Sequence, residues 1–326
     1  MQLQTEIHIT PFDCKLNHTG KILMLGSCFA TNIGERLADA KFNVYENPFG
    51  VIYNPASVAK GIEILLENGS FTENDLNLYN GLYYSFHFHS SFSDIEKQLV
   101  LSKMNNAKQQ GYDFVKNAEY IIISFGSAIA YKHITTNKIV ANCHKLPSYE
   151  FEKTNLTITE IVNLTNTAIR NIREINNKAI FIFTVSPIRY LSNGAHENQL
   201  SKSRLLLAVN EICNDNKNCF YFPAYEIMMD ELRDYRFYAD DMLHPSTLAI
   251  DYIWHKFANT AMTDESLAII DEIKKIQPAK QHRAFNPNSE EHKKFLKTYF
   301  EKTKQLQHKY PILNLRDELE YFGAYC

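Results

Sequence analysis

Two stretches of this chain carry residue types that can do covalent chemistry. The first is Gly26-Ser27-Cys28-Phe29-Ala30, which follows the apolar run Ile22-Leu23-Met24-Leu25 and precedes Phe29, Ile33 and Leu37 at helical spacing. A strand, a tight turn and a helix would put the Cys28 thiol at a helix N-terminus, where free N–H groups and the positive dipole end stabilise an anion and lower a thiol pKa. The second is Asp241-Met242-Leu243-His244-Pro245. Its spacing lets the Asp241 carboxylate turn back to Nδ1–H of His244, fix the tautomer and leave Nε2 free as a base. Together they make a nucleophile, a base and an orienting carboxylate, the set that splits acyl transfer into two steps through a covalent intermediate. Each stretch also has a plainer reading: Cys28 as a small buried apolar residue, and the His244 loop as a helix start with Pro245 in the first helical position.

An oxyanion formed at such a site needs donors, and the backbone N–H groups of Cys28 and Gly50 and the Asn142 amide are candidates. Asn142 can equally satisfy its own loop backbone. Arg189 and His89 are candidates for an anionic part of the substrate, with a surface salt bridge as the alternative for Arg189. Phe86-His87-Phe88-His89 alternates as a short strand does, with both histidines on one face, but no third metal ligand stands nearby.

The elements that must position these residues read as follows. Apolar runs at 22–25, 42–45, 120–126, 179–185 and 219–222 are five strand candidates, and the 120–126 run has the continuous apolarity of a strand buried on both faces. Helical spacing follows at Phe29 to Leu37, Val58 to Leu66, Ser93 to Lys116, Ile158 to Ile172, Gln199 to Asn214 and Ile250 to Ala261. The 46–55 stretch, with two prolines, two asparagines and a glycine, is a loop of fixed path, and a loop region follows Gly126. This alternation predicts an α/β fold with a five-stranded parallel, doubly wound sheet, and ligands bind such sheets outside the carboxyl ends of the strands. Gly26, Gly50, Gly126, Ser186 and the 240–246 loop all follow strand ends, so one rim collects them. Beyond Thr263 charge rises and strand signals vanish, which divides the chain into a 1–263 domain and a helical C-terminal extension, 264–326, packed on or beside it.

The 34 basic and 37 acidic residues nearly cancel, so no nucleic-acid or anionic membrane partner is implied. The N-terminus has no charged start followed by an apolar core, and no run approaches a membrane span. Six cysteines without CxxC spacing point to reduced thiols and a soluble, cytoplasmic protein. Nothing in the sequence fixes an oligomeric state.

The pentapeptide at 26–30 brings a family into view. With Asn47-Pro48-Phe49-Gly50, Phe125-Gly126-Ser127-Ala128, Asn142-Cys143-His144-Lys145, Ser186-Pro187-Ile188-Arg189 and Tyr235 to Ser246, the sequence resembles the GSCFA-domain family, related to the SGNH (GDSL-type) hydrolases, over roughly residues 20 to 250. The resemblance implies a flavodoxin-like three-layer α/β/α sandwich and an esterase or acyltransferase site acting on a small acyl substrate such as an acylated sugar, with no metal or organic cofactor. It lays the superfamily's nucleophilic serine on Cys28 and the preceding aspartate on Ser27. Gly50 and Gly126 match the second and third elements, and Asp241 and His244 the last. Two departures stand out: a thiol replaces the hydroxyl, and Ala128 occupies the place of the oxyanion asparagine. A shift of register by one would make Ser27 the nucleophile instead, and the runner-up function is a binding or interaction protein that keeps the fold without catalysis.

Overall fold

The structure, a computed structural model, describes residues 5–282 and 284–324. In chain order its strands are β1 Lys21–Gly26, β2 Asn43–Glu46, β3 Asn77–Tyr79, β4 Leu82–Tyr84, β5 Ala118–Phe125, β6 Ile129–His133, β7 Lys138–Val140, β8 Phe151–Asn155, β9 Ile180–Val185 and β10 Cys219–Phe222. The main helices are α1 Cys28–Asp39, α2 Pro55–Leu66, α3 Lys97–Asn117, α4 Ile158–Ile175 and α5 Ala195–Asp215, then the short α6 Ala224–Glu226, α7 Thr247–Ala261, α8 Asp264–Ile273, α9 Gln277–Gln281, α10 Glu290–Lys309 and α11 Arg316–Gly323.

The five strand candidates form one all-parallel sheet in the order β2-β1-β5-β9-β10. Strand residues alternate between its two faces, and both faces are covered, which is why the central strands β1, β5 and β9 are mostly apolar, whereas the edge strand β2 carries Asn43 and Glu46. Leu23, Leu25, Ile121, Ile123, Phe181 and Phe183 share one core with Ile62 of α2, Met104 of α3, Ile169 of α4 and Leu205 of α5. Ile22, Met24, Ile122, Ile182 and Phe222 share the other with Ile33 and Leu37 of α1 and Ile253 and Phe257 of α7. The result is the three-layer α/β/α sandwich with a flavodoxin-like strand order, whose crevice opens beside β1 where the order reverses. Burying each of these large side chains contributes about 1.5–3 kcal/mol.

The C-terminal helices carry a third core of Ile269, Ile273, Ile276, Leu296, Leu306 and Phe322. They meet the sandwich where α1 ends: Glu318, buried, takes Lys41 at 2.8 Å and Lys280 at 3.1 Å, and Gln277 bonds the Asp39 carbonyl.

Three local readings need correction. Residues 86–92 are not a strand: they form a turn leading into a 3₁₀ turn at Ser90–Phe92 capped by the His89 ring, because His89 N–H bonds the Phe49 carbonyl instead of a strand partner. The loop region after Gly126 holds a three-stranded antiparallel sheet, β7-β6-β8, and a hairpin β3-β4 precedes it. These strands are short and half exposed, so they lack an apolar signature, although Asn80-Gly81, both at positive φ, is a hairpin turn signal legible in the sequence. Pro245 is not the first helical residue: it bridges Tyr238, and Ser246 caps α7.

Candidate functional site

The turn at the end of β1 is built for close approach. Gly26 has φ +134°, and a Cβ there would lie 2.1 Å from the Ser124 carbonyl oxygen, so no other residue fits. Ser27 then caps α1: its Oγ accepts from Phe29 N–H, pairs with Ser124 Oγ at 3.0 Å, and is fully buried. The loop expected to have a fixed path clamps this turn. Asn47 accepts Gly26 N–H on Oδ1 at 2.8 Å and donates to Thr31 Oγ1, and Ile52 N–H bonds the Gly26 carbonyl.

Cys28 is therefore the first residue of α1, as its spacing required. Its thiol, however, is held above the ordinary cysteine range, because burial outweighs the stabilisation from its own N–H. The helix terminus alone does not make a resting thiolate. Cys28 in turn helps to raise two neighbouring phenols, Tyr53 and Tyr190. Their rings stack with centroids 5.1 Å apart. Burial pushes the Tyr53 hydroxyl up to about 12 and Tyr190 well above its usual range.

The expected oxyanion donors fare differently. The Gly50 N–H is spent on the Asn47 carbonyl at 2.7 Å, so Gly50 is a turn residue, and its φ of +71° serves that turn; His89 packs so close that a Cβ on Gly50 would meet its Cβ at 2.4 Å. The Gly126 N–H bonds the Tyr53 carbonyl at 2.7 Å. A Cβ on Gly126 would stand 2.7 Å from Tyr190 Oη and 2.9 Å from Tyr53 Cβ, so glycine is what lets the phenols approach. Ala128 offers no side-chain donor; its N–H takes Ser201 Oγ. Asn142 accepts His144 N–H on Oδ1 at 2.8 Å, satisfying its loop, while its Nδ2 makes no hydrogen bond among the described residues. That loop lies near the thiol's surroundings, since Cys143 acts on Tyr53 as Cys28 does. His144 locks it: Nε2 donates to the Ser85 carbonyl at 2.9 Å, Nδ1 faces Ser93 Oγ, and burial drives its pKa down to about 4, so the ring is neutral.

Asp241 and His244 meet as the spacing required. Asp241 accepts His244 Nδ1–H at 2.6 Å on one oxygen and the N–H groups of Leu243 and His244, each at 2.9 Å, on the other. These bonds hold its carboxyl down to about 2, so it is ionised, and because the pairing uses Nδ1, Nε2 of His244 has no hydrogen-bond partner among the described residues. Both side chains are open to solvent, 44% for His244 and 47% for Asp241. Among the described residues no hydrogen bond links His244 to Cys28. The segment after β9 adjoins both: Arg189 N–H bonds the Leu243 carbonyl at 3.1 Å, and the next residue, Tyr190, has its phenol pushed up partly by Cys28.

Lys202 of α5 escaped sequence reasoning. It is fully buried, with Nζ donating to the carbonyls of Gly126 at 2.7 Å and Ser186 at 2.6 Å, and it lies over the rings of Tyr190 and Tyr225. It ties two strand-end turns together, and burial holds its pKa down to about 7. A lysine in helical register with the buried Leu205, Ala208, Val209 and Ile212 is the signal that marks it. Of the two histidines read as a pair, His87 lines a cleft of about 980 Å³ between α2 and α4, which none of Cys28, Asp241 and His244 lines; cavity size does not locate the catalytic candidates. Among the described residues no group of three or more His, Cys, Asp or Glu is placed to hold a metal ion, and no helix is long and apolar enough to cross a membrane.

A doubly wound α/β/α sandwich with a thiol at the first strand end and an Asp–His pair on the last loop defines the class. The model of the GSCFA family matches residues 21–257, and that of the GSCFA domain protein, C-terminal domain, matches residues 273–325; the chain belongs to the GSCFA family. No curated protein matches it. Among solved structures it is similar to a Clostridium thermocellum family 3 carbohydrate esterase at 13% identity and a TM-score of 0.34, over 77% of this chain and 98% of that one, a likeness too slight to argue from.

Proposed function

We propose that the protein is a hydrolase or acyltransferase for small acyl esters or thioesters, with Cys28 as nucleophile, His244 as general base and Asp241 as its orienter. The observation that carries this reading is the Asp241–His244 pair at 2.6 Å, which fixes the tautomer with Nε2 free, on a loop bonded to the segment that flanks Cys28. Because the thiol rests protonated, the base has work to do. As the substrate carbonyl is attacked, Nε2 takes the thiol proton, sulfur bonds to carbon, and the carbonyl electrons move to oxygen. Collapse expels the alcohol or thiol, which takes the proton back from His244. Water or an acceptor then attacks the thioester as His244 takes its proton, the carbon–sulfur bond breaks to release the acid or the new ester, and the Cys28 sulfur takes the proton back from His244. The Cys28 N–H and Asn142 Nδ2 serve the oxyanion in place of the spent Gly50 N–H, and Ser27 acts as helix cap. Catalysis takes place in the cytoplasm and needs no cofactor.

Turnover of short-chain acyl esters by wild type, Cys28→Ala and Ser27→Ala tests the assignment. Loss in Cys28→Ala with activity kept in Ser27→Ala supports it, and the reverse moves the nucleophile to Ser27. The absence of a Cys28–His244 hydrogen bond favours a second reading, a binding protein that keeps the fold. No turnover of any acyl ester by the wild type, with ligand binding intact, would select it.

A further inference from the structure

Beside the His244 loop lies a pocket of about 350 Å³ that includes Arg189, Gln199, Met229, Tyr235 and Tyr238 in its lining. One wall comes from a widened π-helical turn, Ile227–Glu231, of the kind that often sits at functional sites. The pocket is continuous with the loop through three backbone links: Arg189 N–H to the Leu243 carbonyl, Ala239 N–H to the His244 carbonyl, and the bridge between Tyr238 and Pro245.

Its charges are unevenly matched. Arg233, also in the lining, pairs with Asp230 at 2.7 Å, and Asp234 pairs with Arg236 at 3.0 Å. Arg189 has no carboxylate partner among the described residues; its guanidinium lies 5.9 Å from the Tyr238 ring centroid. The salt bridge that would make Arg189 a plain surface cation is therefore not formed. Gln199 is also held ready, because the Tyr225 hydroxyl donates to its Oε1 at 2.8 Å and its Nε2 hydrogens have no partner among the described residues. A planar cation with five donors, an amide with two more, and aromatic and thioether walls match an oxygen-rich anion carried on a partly apolar body.

We propose that this pocket binds a carboxylate or phosphate group of the substrate whose acyl bond is handled at Cys28 and His244, with Arg189 as the residue that selects for it. The proposal rests on the acyl-transfer reading for the rest of the substrate. It deepens that reading by naming the substrate class: acyl compounds that carry a negative charge.

Calorimetric titration of the full-length Cys28→Ala protein with glucuronate, glucose 6-phosphate and glucose tests it without requiring turnover. These probes share a sugar ring and differ in the charged group. At least one anion should bind about tenfold tighter than glucose, and the preference should vanish in Cys28→Ala proteins that also carry Arg189→Gln or Arg189→Glu, survive in part with Arg189→Lys, and shrink as salt rises. Preference for glucuronate marks a carboxylate site, and preference for glucose 6-phosphate a phosphate site. Equal binding of all three probes, or an anion preference unchanged by Arg189→Gln, overturns the proposal. The salt titration on the Cys28→Ala protein itself keeps the test decisive should the Arg189 variants fold poorly: affinity for the anions that does not fall with salt also overturns it. Acyl-ester turnover, measured separately on wild type, keeps the two ideas apart. Arg189-dependent anion binding without turnover upholds the pocket and removes the acyl-transfer reading, whereas turnover with no anion preference does the reverse.

Discussion

The two halves of the candidate site are built in opposite ways. The Cys28 end is a turn locked from below: a glycine with no room for a Cβ, a buried serine cap and an asparagine clamp, with phenols around the sulfur. The Asp241–His244 end is an open loop, with half-exposed side chains and three hydrogen bonds converging on one carboxylate. Burial on the first side keeps the thiol protonated, while hydrogen bonding on the second keeps the carboxylate ionised and Nε2 free. Rigidity alone thus does not ionise the thiol. On the proposed acyl-transfer reading activation comes from the exposed partner, and each variant below breaks one side of that contrast.

The largest effect is expected at the buried end. Cys28→Ala should lower kcat for a short-chain ester by at least on the order of 10³-fold. Ser27→Ala should instead lower stability by about 1 kcal/mol, the usual cost of losing a cap, and leave most activity, as denaturant melts and rates run in parallel will show. Next, Asp241→Asn should reduce kcat by on the order of 10²- to 10⁴-fold by freeing the tautomer, with little change in the thermal midpoint because the pair is exposed. A melt lowered as much as activity would make the pair structural.

Smaller changes sharpen the contrast. Lys202→Met removes the tie between the Gly126 and Ser186 carbonyls, and each orphaned carbonyl costs about 1–3 kcal/mol, read in urea unfolding. Iodoacetamide labelling of Cys28 should keep rising with pH beyond the ordinary thiol range; a plateau near neutrality would mean that a resting thiolate exists. The smallest effect concerns the Asn142 loop. The folded-state pKa of His144 is lowered to about 4, so the native protein binds fewer protons than the unfolded chain below pH about 6.5. Its contribution to stability is complete above that pH and is lost as pH falls from about 6.5 to 4, and His144→Gln should flatten stability over that window.

Much of this was legible in residue types. The three central strands announced themselves because burial on both faces demands mostly apolar runs, and Gly26 marked a turn that no side chain tolerates. The Asp241–His244 pair was legible because three residues of separation is a local geometry. What stayed hidden depended on tertiary contact. The thiol's raised pKa comes from burial that only the tertiary packing supplies, and the capture of the Gly50 N–H by Asn47 is a turn detail that apolar patterning does not encode. Lys202 was invisible as a tie because both of its partners are backbone carbonyls.

The central claim is that Cys28 carries the acyl group. Mixing the wild-type protein with p-nitrophenyl acetate, quenching in acid and fragmenting the peptide that holds residues 26–30 tests it most directly. The account predicts an acetyl group on Cys28 that neutral hydroxylamine removes, as it does from a thioester, and no acetylation in Cys28→Ala. An acetyl group on Ser27, or full turnover by Cys28→Ala, would contradict it.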